Sequence, residues 1–282
     1  MIKRIGVVGQ GFVGHSVTEG FKNHYHISTF DLDSSKSTEP TLQSLINKSD
    51  IVFVCLPTPM KRGGECDISI IENVIQEINN YNKNITVLIK STIPPGTTER
   101  FCKEYWNINI IFNPEFLTEA NAVNDYINQT RIILGVAEQN CSHVISMFNK
   151  VFPKAKVIKT KSKVAEMVKY ITNCFLSTKV SFANEMYQIC QQLNIDYDKV
   201  IEYAKYDNRL GNSHWGVPGP DGGFGYGGHC FPKDMGALKF LANNLGVDTL
   251  VLDGIINKNN EVRINRDWEK QKGRAVSEDY FD

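Results

Sequence analysis

At 282 residues the chain can form one large domain or two ordinary ones, and its 41% apolar and 22% charged residues are typical of a soluble globular protein. A formal net charge of zero gives no electrostatic pull toward nucleic acid or an anionic membrane, and no apolar run nears the ~20 residues of a membrane span. The seven cysteines are odd in number, scattered and without a Cys-x-x-Cys pair, so neither a disulfide framework nor a metal site is expected. Lys3 and Arg4 could open a signal peptide, but Gln10, Gly11, Gly14 and His15 interrupt the apolar stretch, so a cytoplasmic protein is expected.

Residues 3–9 read as a strand running into Gly9-Gln10-Gly11-Phe12-Val13-Gly14, with a helical stretch to about residue 22 and a second strand over 25–31. Strand, glycine turn, helix, strand and terminal acid are the context a dinucleotide fingerprint needs. Its glycines let the backbone approach a pyrophosphate at a helix N-terminus. Asp31, about 20 residues beyond the glycines, would accept the ribose hydroxyls and repel a 2′-phosphate, which favours NAD. Lys36 nearby leaves NADP open.

Strands are expected at 50–56, 85–90, 109–112, 131–136 and 155–158, with helices at 67–80, 97–105 and 142–148. This alternation predicts an α/β, Rossmann-type, doubly wound parallel sheet. Three polar clusters fall at strand ends, where such sheets bind ligands: Pro57-Thr58-Pro59, Ser91 to Gly96 with Thr92, and Asn113 to Glu119. Each is also compatible with ordinary turn chemistry.

From residue 163 to about 193 the spacing is helical, with Val164, Met167, Val168, Ile171, Phe175, Phe182, Met186, Ile189 and Leu193 forming one apolar stripe. So long a helix suggests a spine for domain packing or for a homodimer. Lys169 and Asn173 share a face off that stripe, which alone would read as solvated. Seven glycines in residues 216–228 suggest a flexible loop that lets backbone pass close to a bulky ligand, and it leads into Cys230. Pro232 suits a first helical position, so Cys230 is expected where a helix begins, with the dipole and Lys233 favouring a thiolate. The alternative is an inert, buried cysteine. Helices are expected at 234–245 and 249–266, and a charged peripheral tail from 268.

The chain resembles the nucleotide-sugar dehydrogenase family, on Gly9 to Gly14, Thr58-Pro59, Lys90 to Gly96, Asn113 to Leu117, Lys169 with Asn173, Asn208 to Gly211, and Gly227-Gly228-His229-Cys230-Phe231-Pro232-Lys233-Asp234. These motifs span about residues 3–265 in the family's order. The resemblance implies an NAD-binding domain over residues 1–160 and a helical catalytic and dimerisation domain over 161–282. It also implies oxidation of a nucleotide sugar, UDP-glucose first among candidates, at its C6 alcohol to the carboxylate.

By the same resemblance Cys230 forms a thiohemiacetal and then a thioester, while Lys169 and Asn173 stabilise the oxyanion. Asp234 would hold a water or Lys169, and Thr92 and Glu115 would position water, Glu115 as the hydrolytic base. Glu119 and Lys233 would lie near the cofactor with Thr58 and Pro59. Phe116, Leu117, Phe224, Gly225 and Gly227 would wrap the sugar, and Arg209 would reach a neighbouring subunit's substrate. Ala120 replaces a common family glycine, and the usual C-terminal nucleotide-binding domain is expected to be absent, with a neighbouring subunit or the 216–228 loop supplying substitute contacts. Two other readings are a β-hydroxyacid dehydrogenase, which needs no cysteine, and a non-catalytic NAD-binding subunit.

Overall fold

The computed structural model describes residues 2–81 and 84–281. It divides into two compact units, residues 1–58 with 68–169 and residues 59–67 with 170–282. The first is a seven-stranded sheet in the order β2-β1-β3-β4-β5-β6-β7. Its strands are β1 (Arg4–Val8), β2 (His26–Phe30), β3 (Ile51–Val54), β4 (Thr86–Ile89), β5 (Asn109–Phe112), β6 (Arg131–Val136) and β7 (Lys156–Lys161). Helices α1 (Phe12–Phe21), α2 (Leu42–Asn47), α3 (Ser69–Asn80), α4 (Thr97–Glu104), α5 (Ala122–Ile127) and α6 (Ser142–Val151) connect them. Strands β3 and β4 are buried along their whole length, because helices cover both faces of a parallel sheet. One face packs Val52, Val87 and Ile110 under Ile71, Ile75 and Phe101; the other packs Val7, Phe53 and Leu88 under Val17, Phe21 and Phe148.

The sheet is parallel, as the alternation indicated, at each described strand pair but one: β6 runs antiparallel to β5, with Phe112 opposite Gly135. Residues 113–130 between them carry a short 3-10 turn and α5, and the chain re-enters the sheet beyond the carboxyl end of β5. Strand β7 also begins and ends later than the spacing suggested.

The second unit is helical: α7 (Ser162–Gln192), which enters from the first unit, then α8 (Tyr197–Ala204), α9 (Phe231–Asn244) and α10 (Leu250–Val262). Helix α7 inverts its expected environment. Ile171, Phe175, Phe182 and Ile189 are exposed, while Lys169, Asn173, Ser177, Ser181 and Asn184 are buried. Nor is the tail peripheral. Trp268, Ala275 and Val276 are buried against Met60, and backbone hydrogen bonds from Met60 N to Ala275 O and from Ser277 N to Met60 O clamp the Met60–Cys66 hairpin. Charge along 266–274 concealed these apolar anchors. Among the described residues no helix is long and apolar enough to cross a membrane.

Candidate active site

The fingerprint has the geometry a dinucleotide requires. Gly9 has φ +84°, and a Cβ on Gly14 would collide with the Gly9 carbonyl oxygen, so the turn admits only glycine at these points. Gly11 is the N-cap of α1, gives it no side-chain cap, and has open space where a Cβ would project. That is a cradle for a pyrophosphate against the first residues of α1, Phe12 and Val13. Asp31 Oδ2 accepts from Gln10 N at 2.6 Å and Oδ1 from Asp33 N at 2.9 Å, which fixes the acid at the end of β2. Lys36 pairs with Asp33 at 3.2 Å on the surface. These residues fit the adenosine half of NAD.

At the carboxyl ends of β4 and β5, buried charges collect. Lys169 Nζ donates to the Glu115 carbonyl oxygen at 2.7 Å and to Glu115 Oε1 at 2.8 Å, and Oε2 accepts from Leu117 N at 2.7 Å. Burial alone would push the Glu115 carboxyl up. The charge and hydrogen bond of Lys169, the Leu117 amide and the charge of Lys90 outweigh it, so the pKa lies below the usual value. Lys90, 2% exposed, donates to Asn113 Oδ1 at 3.2 Å and lies 5.3 Å from the Tyr126 ring centroid. Burial pulls its ammonium down to about 8, helped by Lys169 and opposed by Cys55 and Glu115. Burial pushes the Cys55 thiol up to about 12, which keeps it protonated. Ser91 Oγ accepts from Leu56 N, tying β4 to β3, and Thr92 is buried on the next residue. Phe116 lies under two cations, Arg131 at 4.4 Å and Lys169 at 5.6 Å.

The segment carrying Thr92 is anchored by Glu166 of α7. Its carboxylate accepts from Gly96 N, Thr98 N and Thr98 Oγ at 2.6, 2.9 and 2.6 Å, supplying the cap that Gly96 cannot give α4. Nothing in the sequence pairs Glu166 with residues some seventy positions earlier.

In the second unit Cys230 is the N-cap residue of α9 and Pro232 occupies the second helical position. The expected helix start at 234 therefore moves to Phe231. Asp234 is 1% exposed and is shared: Asn173 Nδ2 donates to Oδ2 at 2.6 Å and Lys233 Nζ to Oδ1 at 2.5 Å. Asp234 thus binds Asn173 and Lys233 within the second unit. Burial would lower the Lys233 pKa, but Asp234, Cys66 and Cys230 reverse that and hold it above the ordinary value. Lys233 is thus a buried, charged lysine within electrostatic reach of Cys230 at the start of α9.

The C-terminal part of the glycine loop is tied down by side chains. Gly225 N donates to Asn184 Oδ1, Tyr226 N to Asn259 Oδ1 and Gly228 N to Asp267 Oδ2. Phe224 is 40% exposed, with its ring 5.7 Å from that of Tyr187. Arg209 stands out from the surface, paired with Asp207. Glu119 is exposed in a short 3-10 turn; Thr58 and Pro59 are buried where the chain passes from the first unit to the second. Lys90, Glu166, Asn259, Arg263 and Asp267 were not singled out as site residues by their types and spacing.

Residues 37–156 match the model of the UDP-glucose/GDP-mannose dehydrogenase family NAD-binding domain, and residues 163–261 match that family's central domain. UDP-glucose 6-dehydrogenase TuaD of Bacillus subtilis is 30% identical over 302 residues, covering 94% of this chain and 64% of the relative. A UDP-glucose dehydrogenase structure from Pyrobaculum islandicum superposes with a TM-score of 0.83 at 26% identity, covering 93% of this chain and 68% of that one. A GDP-mannose dehydrogenase ternary complex from Pseudomonas aeruginosa gives 0.65 at 27%, covering 92% and 69%. The chain thus spans a little under two thirds of TuaD's length. The cofactor of its first domain is NAD. With both family domains matched in order and the fold shared, the chain belongs to the UDP-glucose/GDP-mannose dehydrogenase family.

Proposed function

We propose that the chain oxidises a nucleotide sugar at C6 in two NAD-dependent steps, with UDP-glucose going to UDP-glucuronate. The observation that carries this reading is Cys230 at the start of α9 beside the Lys233–Asp234–Asn173 network. A two-electron alcohol dehydrogenase of the β-hydroxyacid type has no use for a nucleophilic thiol. Residues 1–160 supply the cofactor site and 161–282 the nucleophile.

NAD, which Gly9, Gly11, Gly14 and Asp31 would hold, would accept the hydride of each oxidation. In the first, the C6 hydroxyl gives up its proton through a water positioned by Thr92 and Glu115. The cationic Lys169 and the Asn173 amide stabilise the oxygen as negative charge develops. The Cys230 thiolate then adds to the aldehyde carbon, forming a hemithioacetal, and loss of the C6 hydride leaves a thioester. Water activated by the Glu115 carboxylate cleaves it, releasing the acid and restoring the thiolate. Asp234 keeps Asn173 and Lys233 oriented throughout. The exposed apolar row of α7 supports a homodimer through that helix, and the exposed Arg209 suits contact with a partner's nucleotide.

The relatives act on more than one sugar, so the donor is assigned by competition. UDP-glucose, GDP-mannose and UDP-N-acetylmannosamine are each titrated with NAD while NADH is followed. Saturable turnover with UDP-glucose at a higher kcat/KM than the others is expected; a preference for another donor would reassign the substrate.

A further inference from the structure

Arg263, the residue that ends α10, is 4% exposed yet carries a full guanidinium. Its Nη2 pairs with Asp221 Oδ2 at 2.7 Å and Asp267 Oδ1 at 2.9 Å, and its Nε donates to Asn265 O at 2.8 Å. Around it the glycine loop leaves room for no side chain. A Cβ on Gly223 would come within 2.5 Å of Nη1, and one on Gly227 would run into both Arg263 and Asp267. The glycines at 223 and 227 are therefore where the backbone closes on a guanidinium of this same chain.

Asn259, Arg263 and Asp267 recur every four residues and grip the loop in succession. Asn259 binds both the N–H and the carbonyl of Tyr226, Arg263 the Asp221 carboxylate, and Asp267 the N–H of Gly228. The Tyr226 ring then packs edge-on against Phe231 at 6.2 Å, so the chain is fixed on both sides of Cys230.

We propose that Arg263 is a positioning residue for Cys230, acting by locking the 221–228 backbone that delivers the thiol to the start of α9. This rests on Cys230 being the nucleophile. A planar guanidinium can bridge two carboxylates from Nη2, donate to Asn265 O from Nε and pack edge-on into glycine backbone; an ammonium cannot do all three.

The test uses the full chain with Arg263→Lys, Arg263→Ala and Asp221→Asn, the last neutralising a half-exposed partner. Two readouts are taken: steady-state NADH formation with UDP-glucose, and amide hydrogen exchange over residues 223–228. For Arg263→Lys, kcat should fall roughly 100-fold, the scale of a misplacement of about 1 Å. Exchange at Gly225, Tyr226 and Gly228 should quicken at least about 10-fold as local opening becomes easier. KM for NAD should stay within about twofold, since the fingerprint is untouched. Free guanidinium should restore part of the kcat of Arg263→Ala, and Asp221→Asn should show a smaller loss of the same kind. A folded Arg263→Lys or Asp221→Asn chain with unchanged exchange and unchanged kcat overturns the proposal. If the unmodified chain forms no NADH from any nucleotide sugar, the functional reading fails, and unchanged exchange in the variants then overturns the locking role separately.

Discussion

Lys169 and Glu115 form a buried ion pair in which one ammonium binds both the backbone carbonyl and the side chain of its partner, at 2.7 and 2.8 Å. The pair sets the protonation of the residue assigned to thioester hydrolysis, so its stability and its chemistry are linked. Removing one member of a buried pair leaves an uncompensated charge and costs about 3–5 kcal/mol. Lys169→Met and Glu115→Gln should each lose that order of stability to denaturant, while the double variant loses less than the sum. Additive losses would show that the two side chains are not coupled.

The same pair has a pH signature. The folded-state pKa of Glu115 is depressed, so its stabilisation is complete above the unfolded value, ordinarily about 4.3, and is lost as pH falls through the folded value. Stability of the unmodified chain should fall toward that of Glu115→Gln on acidification below about pH 4. A gap that persists unchanged at pH 3 would contradict the assignment.

Lys90 gives the same direction in a different window, at high pH. Its folded value near 8 lies below the ordinary 10.5, so between the two the unfolded chain binds more protons and stability rises with pH. Below pH 8 both states are charged and the burial penalty is paid in full. Relative to Lys90→Met, the unmodified chain should gain on the order of 3 kcal/mol from pH 8 to 10.5. Guanidinium unfolding of both chains across that window measures the difference, and a flat difference would place the ammonium in a solvated setting.

The exposed row Ile171, Phe175, Phe182 and Ile189 on α7 is an apolar face large enough to mark an interaction site. Phe175→Glu, 61% exposed in the single chain, should convert the proposed homodimer to a monomer in sedimentation velocity with little change in monomer fold. A monomeric unmodified chain at micromolar concentration would remove the dimer from the account.

Trp268 packs with Met60, Ala275 and Val276. Trp268→Ala should cost about 3–5 kcal/mol, the range for deleting a large buried aromatic. A loss under about 1 kcal/mol, typical of a surface change, would mean the tail is not packed in solution.

The parts of this fold that were legible in the sequence are those whose signal is local. Strands β5 and β6 coincide with their runs of β-branched residues, and the glycine turn lies between β1 and α1, with Asp31 after β2, as their spacing indicated. Helices α2, α5 and α8 span only six to eight residues, too few for periodicity, though Thr41 and Asp196 do cap the first and last of them. The antiparallel direction of β6 is set by the path of residues 113–130, which no residue pattern states.

Helix α7 misled for a physical reason. Its polar face read as solvated by spacing alone, whereas it carries Lys169, Asn173 and Asn184 inward to charged and backbone partners. Arg263 and Asp267 were invisible because charged residues near the end of a helix normally read as solvated. Only the folded path of a loop some forty positions earlier shows Arg263 buried and Asp267 bound to it and to the loop.

The most direct test of the central claim counts NADH formed per sugar consumed, with the acid product quantified, for the unmodified chain and for Cys230→Ala. The account predicts two NADH and one uronate per sugar for the unmodified chain, and no acid from Cys230→Ala. One NADH per sugar from the unmodified chain, or full acid formation by Cys230→Ala, would contradict it.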